Sequence, residues 1–572
     1  MPQPQLIWEY TQPDPDLVNQ AQEEFDVPEF YARVLVSRGI TTRDEGKPFF
    51  NPGRQLVHDP LLMKDMDKAV RRLARETKSE QPILVFGDYD VDGTTAASML
   101  YLTLKALGAR VSTYIPSREN EGYGLSTGGI EYAELIGSSL LITCDCGINA
   151  VEQVAYAAGK GIDVIITDHH IPDLELPKAL AILNPKQTDC PYPFKGLCGA
   201  GVAFKLALAL TDYMGADAEL AWRNADLVAL GTAADIVPVL DENRAIVAEG
   251  LRQMEERSRP GLSALWSAAG MSGKDLTVGR LVFGIAPKIN AAGRLGDAGR
   301  AVKLLTTDNH YRAMTMAKEL VEENRRRQLI QESTVEEAIF QVNANHDLGA
   351  EKALVLHSQG WHQGVIGIVA ARIRDNFHRP TAIIAVENGM GKGSLRSMAG
   401  FDLYEALTSC QEHLVGYGGH SVAAGLTIAA DKLADFETAF LAWADEKLTF
   451  EQLLPRQIID GDCTLDVIDS RFMRFLNSLE PYGPGNRRPV FASRGVRVAG
   501  EPRLVGNAEH LKFQASQNGA IFDVIGFNMA DHFEKLILNA PLNIAYVVEE
   551  NVWRDKRRVQ LQLKDIKMEN ES

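Results

Sequence analysis

The chain has 572 residues, room for three or four domains at about 150 residues each. Its 45% apolar and 24% charged residues exclude a mainly disordered or fibrous chain, and no run of about 18 apolar residues exists to cross a membrane. With 59 basic against 76 acidic side chains the net charge is −17, which excludes a polycation that coats DNA by charge alone. It leaves room for local basic patches and for carboxylate clusters offset by metal cations.

The opening residues, MPQPQLIWEYTQPDPD, have no basic start followed by an apolar stretch, so no secretory signal is expected and the cytoplasm is the expected compartment. Residues 1–50 are Pro-rich and mixed, expected as an N-terminal arm with short helices. From about 80 the texture changes. PILVFGDYD reads as a buried strand stopping at a turn, TTAASMLYLTLKALG as the helix after it, and ARVSTYIP, SSLLITCD and GIDVIITDHH as further strands. Short apolar runs alternating with amphipathic helices predict an α/β domain with a parallel sheet covered on both faces, over 51–300. Residues 310–343 contain no Gly or Pro and have a strongly charged middle, VEENRRRQ. They predict a connecting helix within 301–345, about 45–50 Å long at 1.5 Å per residue. EKALVLHS and TAIIAVENG restart the alternation, a second and smaller α/β domain over 346–452. From 453 to 572 short alternating runs separated by turns predict a small β-barrel. The six cysteines include no Cys-x-x-Cys pair, so a zinc ribbon or a dithiol redox site is not indicated; reduced, buried thiols are expected.

Four segments place acidic or imidazole groups just after an apolar run or helix, and in parallel sheets chemistry gathers at the carboxyl ends of strands. Gly87-Asp88-Tyr89-Asp90-Val91-Asp92-Gly93 puts three carboxylates in five residues, which repel one another and are costly to bury together without cations. Asp145 follows LLITC, Asp168-His169-His170 follows DVIIT, and Asp235 follows Gly231-Thr232-Ala233-Ala234. An Asp at a strand end is by itself more often a cap or turn residue. Four such segments in one domain supply the oxygen and imidazole donors of a site for Mg²⁺ or Mn²⁺, with imidazole leaning toward Mn²⁺. Two such ions would activate water and stabilise an in-line displacement at phosphorus.

These residues, with Gly416-Tyr417-Gly418-Gly419-His420 further on, resemble the DHH phosphoesterase superfamily, named for the triplet at 168–170. The likeness covers essentially the whole chain and points to its bacterial single-strand-specific 5′→3′ exonucleases. It implies a DHH catalytic domain, a DHH-associated (DHHA1) substrate-binding domain and an OB-like nucleic-acid-binding barrel within the boundaries above. It implies Asp90, Asp92, Asp145, His169 and Asp235 as metal ligands, Asp145 and Asp235 bridging two ions. His170 would contact the scissile phosphate and Asp168 would orient the histidine pair. Asp88 stays open between ligand and support. Where many relatives carry His, this chain has Phe86.

For substrate, Arg118 is a candidate phosphate fork and Tyr123 a candidate stacking partner for a base. Arg294, between glycines, is expected near the DNA path. Ser394, Arg396, Gly418, Gly419 and His420 sit in Gly-rich segments that permit close approach to phosphates. Trp361 reads equally as a packing aromatic or a substrate contact. The basic hairpin Trp553–Arg558 joins aromatic and cationic groups, and Arg487 and Arg488 add positive charge. Gly391-Lys392-Gly393-Ser394 lacks the full phosphate-loop pattern, which excludes nucleotide-triphosphate hydrolysis. The expected activity is two-metal hydrolysis of single-stranded DNA from the 5′ end, releasing 5′-mononucleotides, in DNA repair and recombination. By resemblance the partners are a helicase and a single-strand-binding protein. The alternatives are a phosphodiesterase or phosphatase acting on short oligonucleotides or small phosphates, and an inactive replication scaffold. Retained carboxylates at 90, 92, 145 and 235 weigh against the scaffold.

Overall fold

The computed structural model describes residues 6–569 apart from Glu119, Asn539, Arg554 and Asp555. Two units emerge: residues 13–324 with 470–488, and residues up to 12 with 325–469 and from 489 onwards. The segment expected as an arm is divided between them. Strand β1 (Ile7–Tyr10) falls in the second unit, and helices Pro15–Phe25, Glu29–Val36 and Arg43–Phe50 in the first.

In the first unit the apolar runs form β2 (Ile83–Gly87), β3 (Val111–Tyr114), β4 (Leu140–Cys144), β5 (Asp163–Thr167) and β6 (Ala181–Leu183). The sheet is parallel throughout, in the order β3-β2-β4-β5-β6. Alternate residues go to opposite cores, as the two-residue strand period requires. Ile83 and Val85 join one core with helices Val91–Ala106 and Gly199–Tyr213. Leu84 and Phe86 join another with helices Thr127–Leu135 and Val151–Gly159. Chain order reverses at β2, whose neighbours are β3 on one side and β4 on the other. Ligand sites of open α/β sheets form at the carboxyl side of such a reversal.

Residues 470–488, expected with the barrel, pack in the first unit. The buried Arg244 holds them there. Its guanidinium donates to the carbonyls of Phe49, Leu479, Glu480 and Pro481 at 2.6–3.1 Å.

The long helix runs from His310 to Asn345, 36 residues or about 54 Å at 1.5 Å per residue. Ala313, Ala317 and Leu320 enter the core of the first unit, and Val335, Ala338 and Val342 a core of the second. Residues 301–306, assigned from sequence to the connector, belong to a separate helix, Gly299–Thr306, whose Ala301, Leu304 and Leu305 pack in the first core.

The second unit holds a mixed sheet of β7 (Leu354–Ser358), β8 (Thr381–Glu387), β9 (Met390–Arg396), β10 (Gly416–Gly419) and β11 (Ala423–Ala429), ordered β10-β11-β9-β8-β7. Strand β12 (Arg456–Ile459) pairs in parallel with β1. After β13 (Gly461–Asp462) come β14 (Phe491–Val505), β15 (His510–Gln517), β16 (Ala520–Gly526), β17 (Leu542–Trp553) and β18 (Lys556–Met568). Pairing runs β14-β15-β16-β18-β17 and returns to β14, closing the expected small barrel with five strands. Closure leaves no edge strand within it. Arg554 and Asp555 of the basic hairpin lie outside the described residues. All six cysteines are buried and unpaired. Among the described residues no helix is long and apolar enough to cross a membrane.

Candidate metal centre

Three strands end in the same way. The N–H of Asp88 donates to Cys144 O (3.1 Å), that of Asp145 to Thr167 O (2.9 Å) and that of Asp168 to Leu183 O (3.0 Å). Each aspartate is thus the first residue past its strand, still tied to the next strand by one last ladder bond. Asp145 turns there in the left-handed region, at φ 64°. The Asp90 side chain caps helix Val91–Ala106 by accepting from Gly93 N–H at 3.0 Å. Asp92, in the first turn, accepts from the N–H groups of Gly199 (2.6 Å) and Ala200 (2.9 Å) at the start of the helix Gly199–Tyr213. Asp235 ends helix Ala225–Ala234.

These elements converge. Donor atoms of Asp88, Asp90 and Asp145 lie within 4.8 Å of one another, as do those of Asp92, His169 and Asp235 and those of Asp145, His169 and His170. Asp145 and His169 each belong to two trios, and His169 Nε2 lies 3.1 Å from Asp145 Oδ1 and 3.5 Å from Asp235 Oδ2. Close as they are, these atoms are not aligned to hydrogen-bond. Asp88 Oδ1, Asp145 Oδ1 and both ring nitrogens of His169 are buried and have no hydrogen-bond partner. Buried polar atoms are otherwise almost always paired. Glycines make the approach possible. A Cβ on Gly199 would meet Asp145 Oδ1 at 2.6 Å, and one on Gly231 would meet Asp92 Oδ1 at 2.7 Å.

The electrostatics agree with a cation site. Burial, then the charge of Asp90, raises Asp88 well above the ordinary carboxylate range. Burial, then Asp92, Asp90, Asp88 and Asp235, does the same to Asp145. Burial with Asp92 and Asp90 raises Asp235 to about 8. Burial pushes His169 down to about 4, so it is a neutral imidazole at pH 7, the form that ligates metals. The donor set therefore fits one or two divalent cations, with Asp145 common to the Asp88–Asp90 and the His169–His170 trios and His169 common to the His170 and the Asp92–Asp235 trios.

Asp168 stands apart. Both of its oxygens are engaged, by the N–H groups of Ile148, His169 and His170 and by His170 Nδ1 at 2.7 Å. Burial alone would raise its carboxyl, yet the His170 hydrogen bond and charge hold it below the usual range. Burial would lower His170, and Asp168 raises it instead. Each partner favours the charged form of the other, and the hydrogen bond fixes the orientation of the His170 ring. Tyr123, exposed, places its hydroxyl 3.0 Å from His170 Nε2. The Arg118 guanidinium lies 5.4 Å from the centre of the Tyr89 ring. Arg294 lies in the last turn of the helix Ala286–Leu295. Gly293 lets that helix reach the metal loop, since a Cβ would meet Tyr89 O at 2.7 Å, and Asn290 Oδ1 accepts from Val91 N–H. Phe86 is remote from ligand duty. Its ring is wholly buried, stacked on Tyr114 and pressed against Gly129.

The remaining predicted residues group in the second unit. Ser394, Gly425 and Gly418 form one row across β9, β11 and β10. Arg396 Nη1 donates to Ser394 Oγ at 3.1 Å, and Gly367 in the helix Ile366–Phe377 leaves room for both. Gly419 and His420 are exposed at the end of β10. Trp361 packs instead of facing outward: it is buried, with Nε1 donating to Glu337.

Sequence reading passes over Asn184, whose Nδ2 donates to His170 O at 2.9 Å. It follows the apolar run of β6 just as the aspartates follow theirs, and that position is the signal that could have found it. The N–H groups gripping Asp92 carry no such signal, because they come from residues more than a hundred positions away.

Family models match as the DHH family N-terminal domain over 82–232, the DHHA1 domain over 350–446 and the RecJ OB domain over 459–565. The single-stranded-DNA-specific exonuclease RecJ of Bacillus subtilis (strain 168) is 36% identical over 563 residues, 98% of this chain and 70% of its own length. That of Salmonella typhimurium is 34% identical over 565 residues, 95% of this chain and 96% of its own. The crystal structure of RecJ in complex with Mn²⁺ from Thermus thermophilus matches at a TM-score of 0.83 and 31% identity, over 98% of this chain and 80% of that one. Its Mg²⁺ complex matches at 0.78 and 30%, over 98% and 78%. With whole-length identity above 30%, three family domains in order and a shared fold, the chain belongs to the RecJ family of single-stranded-DNA-specific exonucleases.

Proposed function

We propose that this protein digests single-stranded DNA from the 5′ end by two-metal hydrolysis, releasing 5′-mononucleotides. The observation that carries the reading is the convergence of buried, unpartnered carboxylate and imidazole donors at the chain reversal of the sheet. Asp88, Asp90 and Asp145 would hold one ion, and Asp92, His169 and Asp235 the other, with Asp145 shared; Asp88 is thereby read as a ligand. When bound, a pair of Mn²⁺ or Mg²⁺ ions supplies a nucleophilic water near neutral pH and stabilises charge on the scissile phosphate. Relatives named for their Mn²⁺ and Mg²⁺ complexes support that choice of ions.

The chain's own residues do the rest. Asp168 fixes the ring of His170 and favours its protonated form, from which His170 can donate to a phosphate oxygen. Arg118 supplies a bidentate fork for a phosphate, and Tyr123 an exposed ring beside it. Ser394, Arg396, Gly418, Gly419 and His420 offer donors and close backbone for a further phosphate. Arg294 would act mainly through its helix, which braces the Asp88–Val91 loop. A helicase that exposes single strands and a protein that coats them are the partners this reading calls for.

Asp145→Asn tests it. The variant should lose Mn²⁺ binding in calorimetry and digestion of 5′-labelled strands, while its metal-free form melts no lower than the wild type because a buried charge has gone. Undiminished digestion would end the proposal. Equal attack on 5′-blocked strands would remove the polarity, and preference for dinucleotides over long strands would favour the small-substrate phosphodiesterase.

A further inference from the structure

The Asp168-His169-His170 triplet has a neighbour of the opposite charge. Strand β6 runs parallel to β5 with Thr167 opposite Leu183, so Asn184-Pro185-Lys186 leaves the sheet side by side with the triplet. One amide clamps the two segments. Asn184 is wholly buried, donates from Nδ2 to His170 O (2.9 Å) and accepts at Oδ1 from Lys186 N–H (2.8 Å). Gln187, also buried, donates to Ile182 O and Asn184 O and fixes the turn from below. Lys186 is therefore held at the rim of the carboxylate cluster by a backbone that has little freedom to withdraw.

Its side chain is half-buried, and its ammonium makes no hydrogen bond or ion pair among the described residues. A solvated surface lysine needs no such anchoring, and a structural lysine at this depth ordinarily has a partner. Its charge nevertheless reaches the centre. After burial, which dominates both groups, Lys186 is among the weaker influences, favouring the ionised form of Asp235 and the neutral form of His169. Arg118 has the corresponding influence on Asp88 and Tyr89. Two cations thus flank the cluster, Arg118 against the Tyr89 ring next to Asp88 and Lys186 two residues beyond Asn184, whose amide grips His170.

We propose that Lys186 binds a backbone phosphate of the DNA strand on the His170 side, completing with Arg118 a pair of cations that hold the strand across the carboxylates. The inference rests on the nuclease reading above. A cluster of carboxylates repels a polyanion, and a lysine, as a compact point charge on a long stem, offsets that repulsion without demanding one phosphate geometry.

The test uses the full chain with Lys186→Gln and Lys186→Arg. Binding of a single-stranded oligonucleotide with phosphorothioate linkages at its 5′ end is measured across a KCl series. Steady-state digestion and Mn²⁺ titration by calorimetry accompany it. Lys186→Gln should lower the slope of log K against log [KCl] by about 0.7, the value for one phosphate on a single strand. It should raise KM several-fold and by more than it lowers kcat, leave Mn²⁺ affinity in place, and be rescued by Lys186→Arg. An unchanged slope overturns the proposal. So does a loss of Mn²⁺ affinity or of kcat alone, which would make Lys186 a support for the carboxylates. A wild-type chain that binds no single strand sinks the nuclease reading itself, and this inference with it.

Discussion

At the scale of single residues, the centre is an arrangement that is unfavourable without ions. Asp88, Asp92 and Asp145 are buried and shifted upward, and Asp235 is raised to about 8. A carboxyl whose folded value lies above its unfolded one binds more protons when folded, so stability falls as pH rises toward the folded value. His169 works the other way, because its folded value of about 4 lies below the ordinary imidazole value, and it costs stability as pH falls from 6.5 to 4. Above pH 6.5 His169 is increasingly neutral in both states, and the upward-shifted carboxylates and His170, which Asp168 raises, all lose stability as pH rises. The metal-free protein should therefore melt several degrees lower at pH 8 than at pH 6.5, and Mn²⁺ should reverse the order. Binding should release protons, read as a calorimetric enthalpy that depends on the buffer. A metal-free melting point flat across this window would show that the carboxylates are not held as described.

At the scale of elements, the site depends on helices approaching more closely than side chains ordinarily allow. Gly231 in the helix Ala225–Ala234 faces Thr95 Oγ1, Asp92 Oδ1 and Ala200 Cβ, which a Cβ would meet at 2.6, 2.7 and 2.9 Å. Alanine would improve intrinsic helix propensity by about 1 kcal/mol. Overpacking between three helices costs about 1–3 kcal/mol, and none of these neighbours is the end of a flexible chain. Gly231→Ala should thus lower stability and, by displacing Asp92, weaken divalent-ion binding. Thermal unfolding and calorimetric titration read the two effects separately, and a variant with native ion affinity would place the tight contact outside the site's needs.

At the scale of the whole molecule, the chain leaves the first unit along the helix His310–Asn345 and returns to it for residues 470–488. Arg244 is the tie for that return. Burial lowers its guanidinium to about 10, still charged at pH 7, and it meets carbonyls from two distant segments. Arg244→Met leaves those carbonyls without donors and should destabilise the unit by on the order of 3 kcal/mol in denaturant titration. Lysine keeps the charge but not the planar fork, and should recover little of the loss. Full recovery by lysine would reduce the tie to charge alone.

The sequence by itself determined the element types and the donor list. Strand-length apolar runs such as ILVFG and LLITC can be buried on both faces only in a covered parallel sheet, and the acidic groups that follow them are visible as a local pattern. The triplet at 168–170, the carboxylates at 88–92 and Asp145 meet at one place because the carboxyl ends of neighbouring parallel strands are necessarily neighbours, while Asp235 reaches it from the end of the helix Ala225–Ala234. What only tertiary structure decided is how the donors divide into trios, that Phe86 turns into the opposite core, that Gly293 and Arg294 lie in the last turn of a helix braced on the Asp88–Val91 loop, and that residues 470–488 join the first unit. Each of these depends on contacts between segments far apart in the chain, and hydrophobic periodicity records which face of an element is buried but not what it is buried against.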